Sequence, residues 1–183
     1  MKLFILSVLL VFSINAFSQM HKKEKGKLEI GAELELYPVG YMPVLTSNFF
    51  IKENWALRFR IGANLANRED FSGLNDSEIA KGFGVSTGVV KYFPIWKGNV
   101  VVGFTTDFWQ MKTQWKDGAL VGETKNLVIQ PWVNSGYLYS FSDTFNAGVS
   151  LGFGREINTF NRGKEVGQGW MGIVTISTNY SIN

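Results

Sequence analysis

The chain has 183 residues, a formal net charge of +3, one histidine and no cysteine. The missing cysteines exclude disulfides, thiol chemistry and an N-terminal lipid-anchored cysteine, and so small a net charge leaves no electrostatic footprint for nucleic acid. A hydrophobic fraction of 45%, an aromatic fraction of 15% and twenty glycines against four prolines favour many closely packed strands over helices or disorder. The first eighteen residues read as a signal peptide. Lys2 supplies the positive region, Leu3 to Phe12 is apolar apart from Ser7, and Ala16-Phe17-Ser18 has the small-x-small form of a cleavage site. A membrane helix needs about 20 apolar residues, which this run does not reach. Residues 19–27, with the basic run from His21 to Lys27 broken by Glu24, read as a solvated tail on the periplasmic side.

From Leu28 the pattern has period two. Leu28 to Leu36 alternates with its glutamates on the polar face, and Pro38-Val39-Gly40 turns the chain. Residues 43–51 form a second, less regular strand, and Lys52-Glu53-Asn54 is a tight turn. The third strand, Trp55 to Leu65, is the most regular: odd positions are apolar, and even positions carry Arg58, Arg60, Gly62 and Asn64. Residues 67–80 read as a loop, 82–93 as the fourth strand, 94–98 as a turn and 100–112 as the fifth strand. Residues 113–124 read as a long loop, 126–141 as the sixth strand and 142–144 as a tight turn. The seventh strand, 145–154, is followed by a loop over 156–165 and an eighth strand from Gly169 to Ile182. Strands of about 9–11 residues with one unbroken apolar face suit a bilayer, and a sheet in lipid must close because an open edge leaves backbone groups unpaired. The expected fold is therefore all-β, an eight-stranded antiparallel up-and-down transmembrane β-barrel spanning 28–183. Long connections alternate with tight ones, and aromatics gather beside the tight turns: Phe49, Phe50 and Trp55; Tyr92, Phe93 and Trp96; Tyr137, Tyr139, Phe141 and Phe145; and Tyr180. Such rings favour the interface between lipid and water.

This combination of signal peptide, amphipathic strands, alternating connections and aromatic girdles resembles the small outer-membrane β-barrels of Gram-negative bacteria. These are the OmpX/OmpW-like group and the transmembrane domain of OmpA. The resemblance implies a place in the cell outer membrane, contact with its lipid and lipopolysaccharide, and delivery by the outer-membrane insertion machinery. Such barrels usually end in phenylalanine or tryptophan, which that machinery recognises. Here the end is Tyr180-Ser181-Ile182-Asn183, which keeps the alternation in a weaker form of the signal.

Enzymes among such barrels rely on a histidine, since activating a hydroxyl or water near neutral pH needs a base with a pKa near 7. His21 lies in the tail, so the expected role is non-enzymatic, structural or in surface recognition, with no cofactor. Zinc lacks ligands, and Asp70, Asn75, Asp76 and Glu78 lack the spacing of a calcium loop. Gly82-Phe83-Gly84 and Gly152-Phe153-Gly154 read as small residues on a crowded lumen face, not as phosphate loops. The remaining candidate is the lumen, onto which Glu29, Glu33, Glu35, Arg58, Arg60 and Asp107 project. They form either an internal plug of paired charges, or the lining of a narrow pore or of an OmpW-like conduit for small apolar molecules. A soluble barrel of the lipocalin kind would reverse the faces and put Arg58 and Arg60 outside. Carrying each strand's parity to its loop end places Lys81, Lys112, Lys125, Arg155 and Lys164 outward, just past the apolar band. They form a candidate rim for lipopolysaccharide phosphates, or else ordinary surface charge.

Overall fold

The computed structural model describes residues 23–69 and 74–182. The expected signal peptide, His21, Asp70 and Asn183 lie outside the described residues. Eight antiparallel strands follow in chain order: β1 (Leu28–Tyr37), β2 (Gly40–Lys52), β3 (Trp55–Glu69), β4 (Ser77–Ile95), β5 (Gly98–Asp117), β6 (Leu120–Ser140), β7 (Phe145–Arg162) and β8 (Gly169–Ile182). Each pairs with the next, and β1 closes on β8 from Leu28↔Ile182 to Leu36↔Val174. Paired residues can be followed once round the sheet from Leu28 through Phe49, Leu57, Val89, Phe104, Val133, Phe153 and Gly172. The path returns level with Pro38, ten residues further up. With a rise of about 3.3 Å and a strand spacing of about 4.8 Å, that stagger tilts the strands by about 40°, within the range that lets side chains fill the interior.

The faces alternate as the period-two pattern requires. Phe59, Ile61, Val149 and Leu151 are exposed on the outside, whereas Arg58, Arg60 and Ser150 are buried within. The lipocalin-like arrangement is thereby overturned. Two inner apolar clusters line the barrel. One, at the tight-turn end, contains Phe50, Ala56, Val90, Tyr92, Val101 and Leu138. The other, toward the opposite end, is built around Tyr37, Met42, Trp109, Met111, Trp132 and Ile173. Phe50 and Tyr92 are therefore core residues with ring centroids 5.2 Å apart, not girdle residues. Their even numbers on β2 and β4 turn them inward, whereas Phe49, Trp55, Phe93, Tyr139, Phe145 and Tyr180 stay exposed.

Three expected loops are shorter than the sequence pattern implied. β3 runs to Glu69, β4 starts at Ser77, and β7 runs to Arg162. The stretch 113–124 is no loop, because β5 and β6 continue to a two-residue turn at Gly118 and Ala119, where Gly118 takes φ 58°. The cause is a change of surroundings. Around the β5–β6 turn apolar and charged residues mix on each face, Lys116 opposite the exposed Val121 and Trp115 beside Asp117, so alternation is no longer marked by hydropathy. The inner face is still ordered by side-chain bonds: the Trp115 indole donates to Thr124 Oγ1 at 3.2 Å, and Thr124 Oγ1 donates to the Lys164 carbonyl at 2.7 Å. The wall is consequently high along β4 to β7 and low at the β1–β2 turn.

The tail is not wholly solvated. Lys23 is buried, its ammonium 2.5 Å from Glu29, and it exchanges backbone and side-chain bonds with Asn54. Gly26 and Lys27 add a further backbone pair with Phe50, so the segment plugs the tight-turn end.

The lumen glycines make room for two tryptophans. A Cβ on Gly154 would lie 2.3 Å from Trp132 Cβ and 2.6 Å from the Pro131 carbonyl, and one on Gly84 would lie 2.4 Å from the Trp109 ring. Gly154→Val should cost about 1–3 kcal/mol through overpacking. Gly172→Val, where a Cβ meets nothing within 4 Å, should cost little. Denaturant unfolding of the two folded variants compares them directly.

Candidate functional site

The interior is crossed by charged layers separated by the apolar clusters. The central layer is built by β1, β3 and β5, whose inward registers bring Glu33, Glu35, Arg58, Arg60 and Asp107 together. Arg60 is its hub. Its Nε lies 3.3 Å from Glu33, its Nη2 2.5 Å from Glu35 and its Nη1 3.0 Å from Asp107. Arg58 reaches Glu33 at 3.4 Å and donates to Asn48 Oδ1 at 2.9 Å. Trp132 completes the layer, donating its indole N–H to Asp107 at 3.0 Å while Arg60 lies 5.2 Å from its ring centroid. Five of the six sequence-predicted lumen charges thus form one network. The sixth, Glu29, stands apart and is held by Lys23 and by the Ser181 hydroxyl at 2.8 Å.

A second buried cluster, at the loop end, was missed because its members fell in stretches read as loops. Arg68 pairs with Glu156 and lies 3.6 Å from Glu78, and it donates to the Gly167 carbonyl at 2.9 Å. The Gly167 amide in turn faces the Glu78 carboxylate at 3.0 and 3.1 Å. The connection 163–168 is thereby drawn across the barrel mouth with Val166 buried beneath it. Asn158 holds it from β7 through the Val166 carbonyl at 3.0 Å, and Asn75 from the β3–β4 connection through the Glu165 carbonyl at 3.3 Å. Continuing β4 with period two to Ser77 would have revealed Glu78 as an inward residue. Nothing in the sequence marks Val166 as a stopper. The carboxylates considered for calcium diverge: Glu78 faces Arg68, and Asp76 accepts the Gly118 amide at 2.8 Å.

At the edge of this lid is a cleft of about 300 Å³ over the low wall, lined by Tyr37, Val39, Arg68, Gln168, Trp170 and Met171, among others. Of the rim candidates, Lys81, Lys112 and Lys125 are exposed neighbours in register on β4, β5 and β6. The other two stand elsewhere. Arg155 is opposite Trp170 with its guanidinium 5.5 Å from that ring's centroid. Lys164 is on the connection, half-buried, 2.5 Å from Asp117 and over the Trp115 ring.

A closed, staggered ring of eight antiparallel strands with apolar residues outward and charges inward is the fold of the small outer-membrane β-barrels. Solved structures with this architecture include OprG from Pseudomonas aeruginosa, with 8% identity and a TM-score of 0.55 over 90% of this chain and 100% of that one. The attachment invasion locus protein Ail of Yersinia pestis shares 12% identity at a TM-score of 0.53, covering 86% and 99%. The N-terminal β-barrel domain of Pseudomonas aeruginosa OprF shares 14% at 0.50, covering 86% and 100%. At such identities the likeness is one of fold. No family model and no curated protein matches the chain.

Proposed function

We propose that the chain is an integral outer-membrane protein with a sealed lumen, non-enzymatic, serving a structural or surface-recognition role. The observation that carries this reading is the outer surface. Exposed apolar residues continue round all eight strands, from Ile30 and Leu45 through Phe59, Val85, Phe104 and Val133 to Leu151 and Ile176. A soluble monomer rarely exposes more than a few hundred Å² of contiguous apolar surface, whereas a barrel in lipid needs a band about 25 Å tall flanked by aromatics. The expected signal peptide fits the same destination, with the insertion machinery as the partner of assembly. Inside, the charged side chains of the layers are paired with one another. The tail closes one end and the 163–168 connection the other, which favours a plug over a pore.

A second reading, a conduit for small apolar molecules, draws support from the cleft beside Trp170. Membrane fractionation followed by planar-bilayer recording tests both. The protein is expected to stay in the outer-membrane fraction and to show no discrete openings. Loss from that fraction overturns the membrane placement, and stepwise conductance overturns the sealed lumen.

A further inference from the structure

The outer face of β4 to β7 carries a run of like charge that the sheet itself does not balance. Lys81 lies opposite Lys112, Lys112 opposite Lys125, and Lys125 opposite Arg162. All four are exposed. Like charges directly opposite one another destabilise an antiparallel pair, and here three such pairs stand in succession. Among the described residues, the only ion pair with any of the four is that of Glu123 with Lys112, at 2.6 Å. Between Lys81 and Lys112 the surface dips into a depression of about 100 Å³ walled by Ile79 and Gln114. A water molecule occupies about 30 Å³ of liquid, so the depression has room for a tetrahedral oxyanion.

Two residues down each strand toward the tight-turn end lies the next outward level, Phe83, Gln110, Leu127 and Phe160. Phe83 and Phe160 are among the most exposed aromatics of the chain. The cations therefore stand directly above these aromatics, with Ile79 and Val121 the exposed apolar residues beyond them on the loop side. At strand spacings of about 4.8 Å the row is about 14 Å long, enough to meet two phosphates of one head group.

We infer that Lys81, Lys112, Lys125 and Arg162 form a one-sided ladder that binds the phosphates of lipopolysaccharide in the outer leaflet. The inference rests on the outer-membrane placement proposed above. The lysine stems lie along the apolar wall with their ammonium groups at head-group level. Arg162 adds a fork suited to two phosphate oxygens. Arg155 and Lys164 are outside the ladder, since one is stacked on Trp170 and the other is held by Asp117.

The test uses the folded barrel in detergent, titrated separately with lipopolysaccharide, dephosphorylated lipopolysaccharide and inorganic phosphate. Replacing all four cations by glutamine should weaken lipopolysaccharide binding by about tenfold or more, whereas Arg155→Gln with Lys164→Gln should leave it unchanged. Dephosphorylated lipopolysaccharide should bind the parent protein as weakly as the intact form binds the fourfold variant. Heat-dependent electrophoretic mobility reports that each variant is folded. If the fourfold variant does not fold, Lys112→Gln alone should still weaken binding by about threefold. Unchanged binding by a folded ladder variant, or an equal loss in the Arg155 and Lys164 pair, overturns the ladder. Competition by inorganic phosphate at the lipopolysaccharide's own concentration would mean a site for free anions instead. A protein that integrates into membranes yet ignores lipopolysaccharide overturns the ladder alone, whereas one that does not integrate overturns the placement.

Discussion

Arg60→Ala is expected to destabilise the barrel by about 3–5 kcal/mol, the cost of leaving buried charges without their partner. Three carboxylates, Glu33, Glu35 and Asp107, converge on this one guanidinium. Removing it leaves Glu35 and Asp107 without a cation, because Arg58, the remaining nearby one, contacts only Glu33 among the three. Arg58→Ala should cost less, because Glu33 keeps its contact with Arg60 at 3.3 Å. Replacing the whole group together, Arg60→Met with Glu35→Gln and Asp107→Asn, should recover much of the loss, since the penalty lies in unpaired charge more than in the absence of a bridge. Urea unfolding of the refolded protein in lipid vesicles measures all three. A stability for Arg60→Ala equal to that of the parent would mean that these side chains are bathed in water, and the pore would replace the plug.

Phe59→Arg is the second large effect, at about 2–4 kcal/mol for a cation at mid-membrane on the lipid face. Phe59 is exposed outward and lies between Trp55 at one end of β3 and Leu65 toward the other. Leu65 sits opposite Lys81, at the level where the cations begin. Leu65→Arg should therefore cost only about 0–1 kcal/mol, as the long side chain reaches the head groups. Equal costs at the two positions would mean a uniform solvent over the outer face and no bilayer there.

Where one face is apolar and the other charged, the sequence is close to explicit. Trp55 to Leu65 and Gly169 to Ile182 form strands of the expected parity, and Arg58 and Arg60 turn inward as their even numbers require. Legibility falls where that contrast ends. Residues 113–124 mix polar and apolar side chains on both faces and read as a loop, yet the sheet continues through them. Arg68 and Glu78 were hidden for the same reason, and their meeting with Glu156 depends on the closure of strands far apart in the chain. Phe50 and Tyr92 show a different failing. Aromatics gather beside the turns on both faces of the sheet, and only the even positions of these two on β2 and β4 place them in the core. Lys23 had no periodic signal at all, and its burial follows from Glu29 waiting at the mouth of the barrel.

The seam between β1 and β8 has a consequence for the order of assembly. Leu28 finds Ile182 only after nearly the whole chain has been made. Contacts so distant in sequence are slow to form, and until they form the nascent sheet has two raw edges. In hydrocarbon each unpaired backbone group costs several kcal/mol, so no single hairpin gains by entering the membrane ahead of the rest. On the outer-membrane placement proposed above, insertion and closure are therefore one event, timed by the arrival of the final strand. A chain halted before Gly169 carries seven strands whose open flanks lipid cannot satisfy, and it must be held elsewhere until something else pairs with them.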